Sequence, residues 1–339
     1  MTVQLEEIAQ ALVAEGKGIL AADESSGTIK KRFDSIGVES TEENRRDYRE
    51  MLFRCTDAMS NCISGVILFD ETLRQSAKDG TPLVKIISDS GAIPGIKVDT
   101  GAKDLALCPG EKVTEGLDGL RERFAEYYEL GARFAKWRAV ITIGDAIPSR
   151  TCIAANAHAL ARYAALAQEA NIVPIVEPEV LMDGPHDIQR CFEVTEATLN
   201  AVYDELYAQR IMLEGTILKP NMVISGTECP EQASVEEVAE QTVKCLKRTV
   251  PAAVPGICFL SGGQSDEDAT AHLSAMNAGY DLPWKLSFSY GRALQAAALK
   301  AWGGKPENVP AAQAAFSHRA RMNSLAAQGK WSPALEKAA

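Results

Sequence analysis

The stretch Gly215-Thr216-Ile217-Leu218-Lys219-Pro220-Asn221-Met222-Val223 places a lysine at the end of a short apolar run. The run is brief, apolar and opened by glycine, which predicts a buried strand at Thr216–Leu218. Pro220 cannot donate to a sheet ladder, so it marks the end of this strand and puts Lys219 at a rim. A lysine there either extends its ammonium to solvent along an apolar wall or is a desolvated amine that attacks a carbonyl. For an isolated lysine, the first interpretation is the commoner one.

Short apolar runs like this one recur along the whole chain, separated by amphipathic segments. Alternation of this kind predicts a parallel sheet, and eight units favour a closed (β/α)8 barrel over an open sheet. We predict a single TIM-barrel domain over residues 1–339, with an N-terminal helix and a short C-terminal extension at 305–339. The predicted strands are Gly18–Ala22, Gly65–Phe69, Ile96–Val98, Phe134–Thr142, Ile172–Val176, Thr216–Leu218, Ile257–Leu260 and Lys285–Phe288. An extra run, Leu83–Ile87, is expected to pair locally as a further strand.

Three helices are predicted from periodicity and capping signals. Apolar side chains recur at helical spacing over Thr195–Arg210, and the alanine-rich stretch Ala155–Ala170 has strong helix propensity. Ser234 followed by Glu237 is typical of a capping box. No GxGxxG follows any predicted strand, so nothing in the sequence favours a Rossmann dinucleotide site.

Composition limits the classes of partner. The 339-residue chain has a net charge of −11, which argues against nucleic acid as the main partner. Its 8 cysteines are scattered and its 4 histidines lack ligand spacing, so we expect reduced thiols, a cytoplasmic location and no metal site or cofactor. No apolar run approaches the ~20 residues of a membrane span, so no membrane association is expected.

Acidic and basic side chains follow several predicted strands at the end where a barrel carries its active site. Asp23 follows the first strand, Lys136 and Arg138 lie on the fourth, and Glu177 and Glu179 lie on the fifth. Residues at i and i+2 share a face of a strand, so the two basic and the two acidic side chains can meet at neighbouring strand ends. Any one of these pairs taken alone is more often a solvated rim charge or a structural ion pair. Their recurrence beside Lys219 favours a catalytic site.

The loops after the seventh and eighth predicted strands are typical of a phosphate site. The first contains Ser261-Gly262-Gly263 and the second contains Gly291-Arg292. Glycines let backbone N–H groups approach an anion, and arginine supplies a planar fork of donors. Gly-rich turns are common in proteins, so position in the barrel is what gives this signal its weight. Arg32 is a further cation that either is a solvated surface charge or holds a second anion.

Taken together, the chain resembles class I fructose-bisphosphate aldolase, with matches from about Leu12 to Trp331. The stretches that carry the resemblance are GILAADES, GTIKKRFDSIGVESTEENRRDYR, ISGVILFDETL, PGIKVDTG, FAKWR, IVPIVEPEVL, GTILKPNMV, FLSGGQS, FSYGRALQAAALKAWGG and NSLAAQGKW. The resemblance implies a (β/α)8 barrel and reversible, metal-independent cleavage of fructose 1,6-bisphosphate to dihydroxyacetone phosphate and glyceraldehyde 3-phosphate. It also implies a homotetramer that acts in glycolysis and gluconeogenesis.

The resemblance further implies a role for each site residue. Lys219 resembles the Schiff-base lysine, Glu177 the acid/base for carbinolamine formation and dehydration, and Asp23 the carboxylate that handles the C4 hydroxyl proton. Lys136 and Glu179 resemble polarising and positioning partners. The pocket for the ketose 1-phosphate corresponds to Ser261, Gly262, Gly291 and Arg292, and the residues placed towards the other phosphate correspond to Arg32, Lys97 and Arg138.

The sequence leaves two alternatives and shows one departure from the family. The alternatives are another Schiff-base barrel lyase or transferase for sugar phosphates, and a binding scaffold that keeps the fold without turnover. Two phosphate sites disfavour the former, and intact Lys219, Glu177 and Asp23 disfavour the latter. The departure concerns the terminal tyrosine of relatives from animal tissues. In this sequence, no tyrosine follows Tyr290.

Overall fold

The computed structural model describes residues 2–337. Its strands are β1 (Gly18–Ala22), β2 (Ile63–Leu68), β3 (Ile93–Lys97), β4 (Ala102–Asp104), β5 (Lys112–Thr114), β6 (Phe134–Ile141), β7 (Val173–Val180), β8 (Ile217–Leu218), β9 (Gly256–Phe259) and β10 (Lys285–Tyr290). Its helices are α1 (Thr2–Leu12), α2 (Ser26–Asp34), α3 (Glu42–Phe53), α4 (Thr56–Cys62), α5 (Asp70–Arg74), α6 (Leu83–Asp89), α7 (Leu120–Glu129), α8 (Arg150–Glu169), α9 (Ile188–Ala208), α10 (Val235–Thr249), α11 (Asp266–Gly279), α12 (Arg292–Trp302), α13 (Val309–Ala326) and α14 (Pro333–Glu336), with short 3₁₀ turns at Leu213–Gly215 and Pro306–Asn308.

The predicted barrel is confirmed. Eight strands close in the order β1-β2-β3-β6-β7-β8-β9-β10 and return to β1, and every pair in the ring is parallel. Parallel closure brings the carboxyl ends of all eight strands to one mouth, where side chains distant in sequence meet. The antiparallel hairpin β4–β5, which the sequence patterns did not predict, lies between β3 and α7.

The other end of the barrel is filled with apolar side chains. Phe134 lies inside, and a Cβ on Gly95 would come within 2.3 Å of its ring, so the barrel wall needs glycine there. Leu5 and Leu12 of α1 pack onto the same interior cluster, so the predicted N-terminal helix covers this end. The barrel is therefore open to solvent at the carboxyl ends of the strands.

The prediction of a strand at Leu83–Ile87 was wrong, because this segment forms α6. Its β-branched residues favour a strand by propensity, but only Leu83 and Ile87 are fully buried. These two side chains are four residues apart and share one helical face, while Lys85 on the opposite side pairs with Asp89 at 2.7 Å. Tertiary burial of one helical stripe outweighed the local propensity.

The three predicted helices are present, with longer bounds than the patterns indicated. Thr195–Arg210 falls within α9 apart from its last two residues, and Ala155–Ala170 falls within α8 apart from its last residue. Ser234 is the N-cap of α10, and its side chain accepts a hydrogen bond from the Glu237 amide at 3.2 Å. No helix in residues 2–337 is long and apolar enough to cross a membrane.

The C-terminal segment packs on the barrel's outer helices. Phe316 and Ala320 of α13 are fully buried and join the main hydrophobic core. Beyond α13, Glu336 accepts hydrogen bonds from Arg319 at 2.6 Å and from the indole of Trp331 at 2.9 Å, and it contacts His318 at 3.0 Å. One carboxylate therefore ties the last described turn to α13.

Candidate active site

The residues predicted for the site all line one cavity at the carboxyl ends of the strands. The cavity has a volume of about 280 Å³. Its lining contains all twelve predicted residues: Asp23, Arg32, Lys97, Lys136, Arg138, Glu177, Glu179, Lys219, Ser261, Gly262, Gly291 and Arg292. It also contains residues that sequence reasoning missed, namely Ala21, Glu24, Ser25, Thr28, Leu260 and Ser289.

At the bottom of this cavity, Glu177 lies between two lysines. Its Oε1 is 3.3 Å from Lys219 Nζ and its Oε2 is 3.1 Å from Lys136 Nζ. The ammonium of Lys136 is also 2.7 Å from Asp23 Oδ2. All four side chains are nearly inaccessible, with exposed fractions of 4–12%. The arrangement is a buried chain of alternating charge, Asp23–Lys136–Glu177–Lys219. Lys136 and Glu177 lie within β6 and β7, and Asp23 and Lys219 directly follow β1 and β8.

The neighbouring lysines keep the carboxyl groups of Asp23 and Glu177 ionised. Burial works to raise the pKa of Asp23, but Lys136 and Lys219 outweigh it and lower that pKa to about 2. The pKa of Glu177 is likewise lowered, since Lys136, Lys219 and Arg138 outweigh its burial. For Lys136, burial is again opposed by its partners, and Asp23, Glu177 and Asp99 raise its pKa. Lys136 is therefore a fixed cation.

The backbone of β8 sets the position of Lys219. The backbone amide of Lys219 donates to the Val176 carbonyl at 2.8 Å. The parallel pairing of β8 with β7 therefore extends one residue further, to Lys219. Its side chain is only 5% exposed, which rules out the common alternative of an ammonium reaching solvent. Among the described residues, Glu177 is the one carboxylate that pairs with Lys219, whereas Lys136 has two. The two buried lysines thus differ in the number of carboxylates that pair with them.

The expectation that residues i and i+2 share a face is confirmed on β6 and on β7, since both members of each pair line the cavity. Arg138 Nε pairs with Glu179 on the neighbouring strand, one layer above the Lys136–Glu177 contact. Burial opposes the charge of Arg138, but Glu179 and Glu177 raise its pKa. Glu179 is thereby anchored beside Glu177 without contacting Lys219.

The turn after β9, residues 261–264, forms one rim of the cavity together with the start of α12; we call it the phosphate turn. Arg292 Nη2 donates to the carbonyls of Gly262 at 2.7 Å and Gln264 at 2.9 Å. Gly262 has φ +53°, a backbone conformation that favours glycine, and a Cβ there would displace the terminal methyl of Met182. Arg292 itself is exposed to the cavity and has no carboxylate partner in the described part of the chain.

Two further cations of the lining, Arg32 and Lys97, are paired with carboxylates that the sequence analysis did not single out. Arg32 Nη1 pairs with Glu24, and Lys97 Nζ contacts Asp99 Oδ1 at 2.6 Å. Glu24 also accepts from Gln295 Nε2 at 2.9 Å, so a buried amide fixes its orientation. Glu24 directly follows Asp23, and Asp99 lies two residues after Lys97. These positions were only a weak signal that the two acids belong to the site, because only the fold shows which cations they contact.

Fold and site together define the class of protein. The cavity is a doubly basic pocket at the mouth of a (β/α)8 barrel, with a buried lysine and a carboxylate within proton-transfer distance. Such a site can form an imine with the carbonyl of a phosphorylated ligand. Within residues 2–337, no group of three or more His, Cys, Asp or Glu side chains is arranged to hold a metal ion.

Comparison with known proteins agrees with this class. The family model of fructose-bisphosphate aldolase class-I matches residues 4–339. A probable fructose-bisphosphate aldolase class 1 of Xanthomonas campestris pv. campestris is 65% identical over 97% of this chain and 98% of its own length. Fructose-bisphosphate aldolase C of Carassius auratus is 56% identical over 97% of this chain and 91% of its own.

A solved structure shows the same likeness in three dimensions. Fructose-bisphosphate aldolase of Plasmodium falciparum, described in a ternary complex with TRAP and a small molecule inhibitor, superposes with a TM-score of 0.95 at 50% identity. The match covers 97% of this chain and 95% of the other. The chain belongs to the class I fructose-bisphosphate aldolase family, lyases that cleave fructose 1,6-bisphosphate reversibly through a lysine Schiff base.

Proposed function

We propose that Lys219 is the residue that forms the Schiff base as this aldolase cleaves fructose 1,6-bisphosphate. The observation that supports this assignment is the unequal pairing of the two buried lysines. Lys136 lies between Asp23 at 2.7 Å and Glu177 at 3.1 Å, which keeps it protonated. Lys219 has one carboxylate at 3.3 Å, and that carboxylate can take its proton.

Glu177 is the acid/base of imine formation in this proposal. Its lowered pKa leaves it ionised before substrate binds, so it can accept the proton that Lys219 must lose to attack the C2 carbonyl. The protonated Glu177 then donates to the carbinolamine hydroxyl as water departs and the C=N bond forms. Lys136 at 3.1 Å recovers its ion pair each time Glu177 becomes ionised again.

Asp23 is the base for carbon–carbon cleavage. It accepts the C4 hydroxyl proton while the C3–C4 electron pair moves into the iminium, which is a cationic electron sink. The aldehyde product forms at C4 and the enamine remains on Lys219. Lys136 holds Asp23 in place at 2.7 Å, and Glu179 keeps Arg138 at the side of the cavity.

The two phosphates are assigned to two groups of residues in the cavity lining. The phosphate turn, Gly291 and Arg292 would hold the 1-phosphate, because the N-terminus of α12 and a guanidinium that pairs with no described carboxylate converge there. Arg32, Lys97 and Arg138 would hold the 6-phosphate, and each must share its charge between the phosphate and a carboxylate.

Replacement of Lys219 tests the assignment. Lys219→Met should lower the rate of fructose 1,6-bisphosphate cleavage on the order of 10⁴-fold or more, the scale for removal of a nucleophile. Lys17→Met is a matched control, because Lys17 donates to the Ser60 carbonyl at the closed end of the barrel. Cleavage by Lys219→Met at more than a few per cent of the parent rate would refute the role of Lys219.

We further propose that residues 1–339 fold as one domain and assemble as a homotetramer in the cytoplasm. Family resemblance supports the assembly and the compartment, and the burial of Phe316 in the main core supports a single folding unit. Light scattering coupled to size exclusion checks the tetramer, and a single calorimetric transition with matching van't Hoff enthalpy checks the single unit. A monomer, or two separate transitions, would contradict the respective proposal.

A further inference from the structure

A second cavity lies behind the phosphate turn and shares no lining residue with the catalytic cavity. Its volume is about 440 Å³, and the starts of α10 and α11 form two of its sides. We call it the rear cavity. Its walls include Met182, Val235, Val238, Gln264, Asp268 and His272.

The tautomer of His272 is fixed by a chain of hydrogen bonds. Gln264 donates through Nε2 to the Ser261 carbonyl at 3.1 Å, which turns its Oε1 towards His272 Nδ1 at 2.6 Å. An amide oxygen only accepts, so Nδ1 carries the hydrogen. Burial lowers the pKa of this 8% exposed histidine, so the ring is neutral at pH 7 and Nε2 is an acceptor. No described residue donates to Nε2, although the residue lines an open cavity.

The charge of the rear cavity favours a cation. Asp268 is the charged residue of its lining, and no lysine or arginine belongs to that lining in the described chain. Ser234 and Ser265 each accept a hydrogen bond from one amide of their first turns, and acidic side chains in those turns offset the partial positive charge of the two helix N-termini. Those turns also carry Glu236 and Glu237 in α10 and Asp266, Glu267 and Asp268 in α11. Val235, Val238 and Met182 add apolar wall for a hydrophobic body.

The rear cavity is connected to the phosphate turn through Gln264. The side chain of Gln264 links His272 to the Ser261 carbonyl, and its own carbonyl accepts from Arg292 at 2.9 Å. A donor placed on His272 Nε2 polarises the ring and strengthens the Nδ1–H bond to Gln264, since chained hydrogen bonds reinforce one another. An occupant of the rear cavity therefore stiffens the turn that carries Gly262 and Arg292.

We propose that the rear cavity is a regulatory site for a small organic cation with an apolar body and an N–H donor, and that its occupancy strengthens phosphate binding at the phosphate turn. The first half stands independently of the proposed function, and the second half rests on the assignment of Arg292 to a phosphate. Linkage requires phosphate to strengthen cation binding by the same factor.

Benzamidine is a suitable probe, because it is a planar cation with N–H donors and a phenyl body and does not form imines with sugars. Its binding is measured by ligand-observed NMR on the full chain, with benzoate as the anionic isostere. We expect a Kd on the order of 1 mM for benzamidine, the range of a fragment of this size, and no binding of benzoate. Binding of inorganic phosphate, followed by ³¹P NMR, should tighten about 5-fold when benzamidine is saturating.

Three variants locate the effect. His272→Asn removes the acceptor, and Val235→Phe fills the cavity from a half-buried position; both should lose benzamidine binding and keep cleavage activity without it. Glu267→Gln is a matched control on the exposed side of the same helical turn as Asp268 and should bind normally. Unchanged benzamidine binding in both test variants, preference for benzoate, or no binding at 20 times the expected Kd of ~1 mM overturns the site. Binding without any change in phosphate affinity overturns the regulatory half alone.

Discussion

Glu177 lies between two lysines that must behave differently for the chemistry to proceed. The pairing explains how: Lys136 is held by two carboxylates and Lys219 by one. A buried charge that loses its partner costs several kcal/mol, so each member of the Asp23–Lys136–Glu177–Lys219 chain depends on the next. The chain thus fixes which amine is the cation and which can be the nucleophile.

At the same scale, we predict that Arg292→Ala weakens binding of fructose 1,6-bisphosphate by about 1.5–3 kcal/mol, the range for a hydrogen bond to a charged group. Arg292 is exposed to the cavity, so its loss leaves no buried charge unpaired. Inhibition constants of phosphorylated ligands measure this effect, and unphosphorylated fructose should bind nearly as before. An equal loss for both sugars would instead indicate a folding defect.

Glu24→Gln should disturb the position of Arg32 in the cavity lining. Glu24 is 6% exposed and pairs with Arg32, so the variant releases that guanidinium from its fixed position. We expect KM for fructose 1,6-bisphosphate to rise several-fold with kcat changed less, because Asp23, Lys136, Glu177 and Lys219 are untouched. Arg32→Lys in the same background should add little further. Additive losses in the double variant would show that Glu24 does not act through Arg32.

Among the elements, the parallel strands were readable from sequence because each is a short buried run with a polar end. β1 has the bounds that its apolar run predicts, and β7 continues to Val180, so that Glu177 and Glu179 lie on the strand itself. The i, i+2 rule then gave the facing of the catalytic pairs correctly. α6 was misread because burial of Leu83 and Ile87 depends on neighbours that no local pattern reveals. Glu24, Asp99 and the rear cavity were missed because only the fold shows which side chains face one another, even where the partners lie two or eight residues apart in the chain.

The ion pair between Glu336 and Arg319 predicts that the stability of the folded state depends on pH. Burial raises the pKa of Glu336, but Arg319, Trp331 and His318 outweigh it, so the folded pKa is lowered from 4.5. Such a group stabilises the folded state above its unfolded pKa, and this contribution is lost as pH falls through the folded pKa. Glu336→Gln should therefore reduce stability at pH 7 by about 1–3 kcal/mol.

Thermal unfolding of Glu336→Gln across pH checks this prediction. The difference in Tm from the parent should be present at pH 7 and shrink below pH 4.5, the ordinary value for this side chain. Glu307→Gln is the matched control, because Glu307 is exposed and has no ion pair among the described residues. A difference in Tm that does not change with pH would contradict a role for the Glu336 charge.

At the scale of the whole molecule, the protein is acidic but its catalytic cavity is basic. The net charge is −11, yet the catalytic cavity is lined by six lysine or arginine residues against four acidic ones. The excess lies among Arg32, Lys97, Arg138 and Arg292, where phosphate is proposed to bind, while the Asp23–Lys136–Glu177–Lys219 chain is electrically balanced. Overall charge argued against nucleic acid as the main partner, but only the fold shows the local reversal of sign that suits a bisphosphate.

The mechanism also predicts the response to chelators. In the proposed mechanism, the iminium on Lys219 accepts the electron pair released by C3–C4 cleavage, which is the task a divalent metal would otherwise perform. Prolonged dialysis against EDTA should therefore leave kcat unchanged. A loss of activity that zinc restores would contradict this mechanism.

Borohydride trapping tests the central claim most directly, because it identifies the nitrogen that bonds to substrate. The enzyme is incubated with dihydroxyacetone phosphate, reduced with sodium borohydride and mapped by peptide mass spectrometry. The account predicts irreversible inactivation and one reduced adduct, on the peptide that carries Lys219 in Ile217-Leu218-Lys219-Pro220. An adduct on Lys136 with Lys219 unmodified, or full activity after reduction, would contradict it.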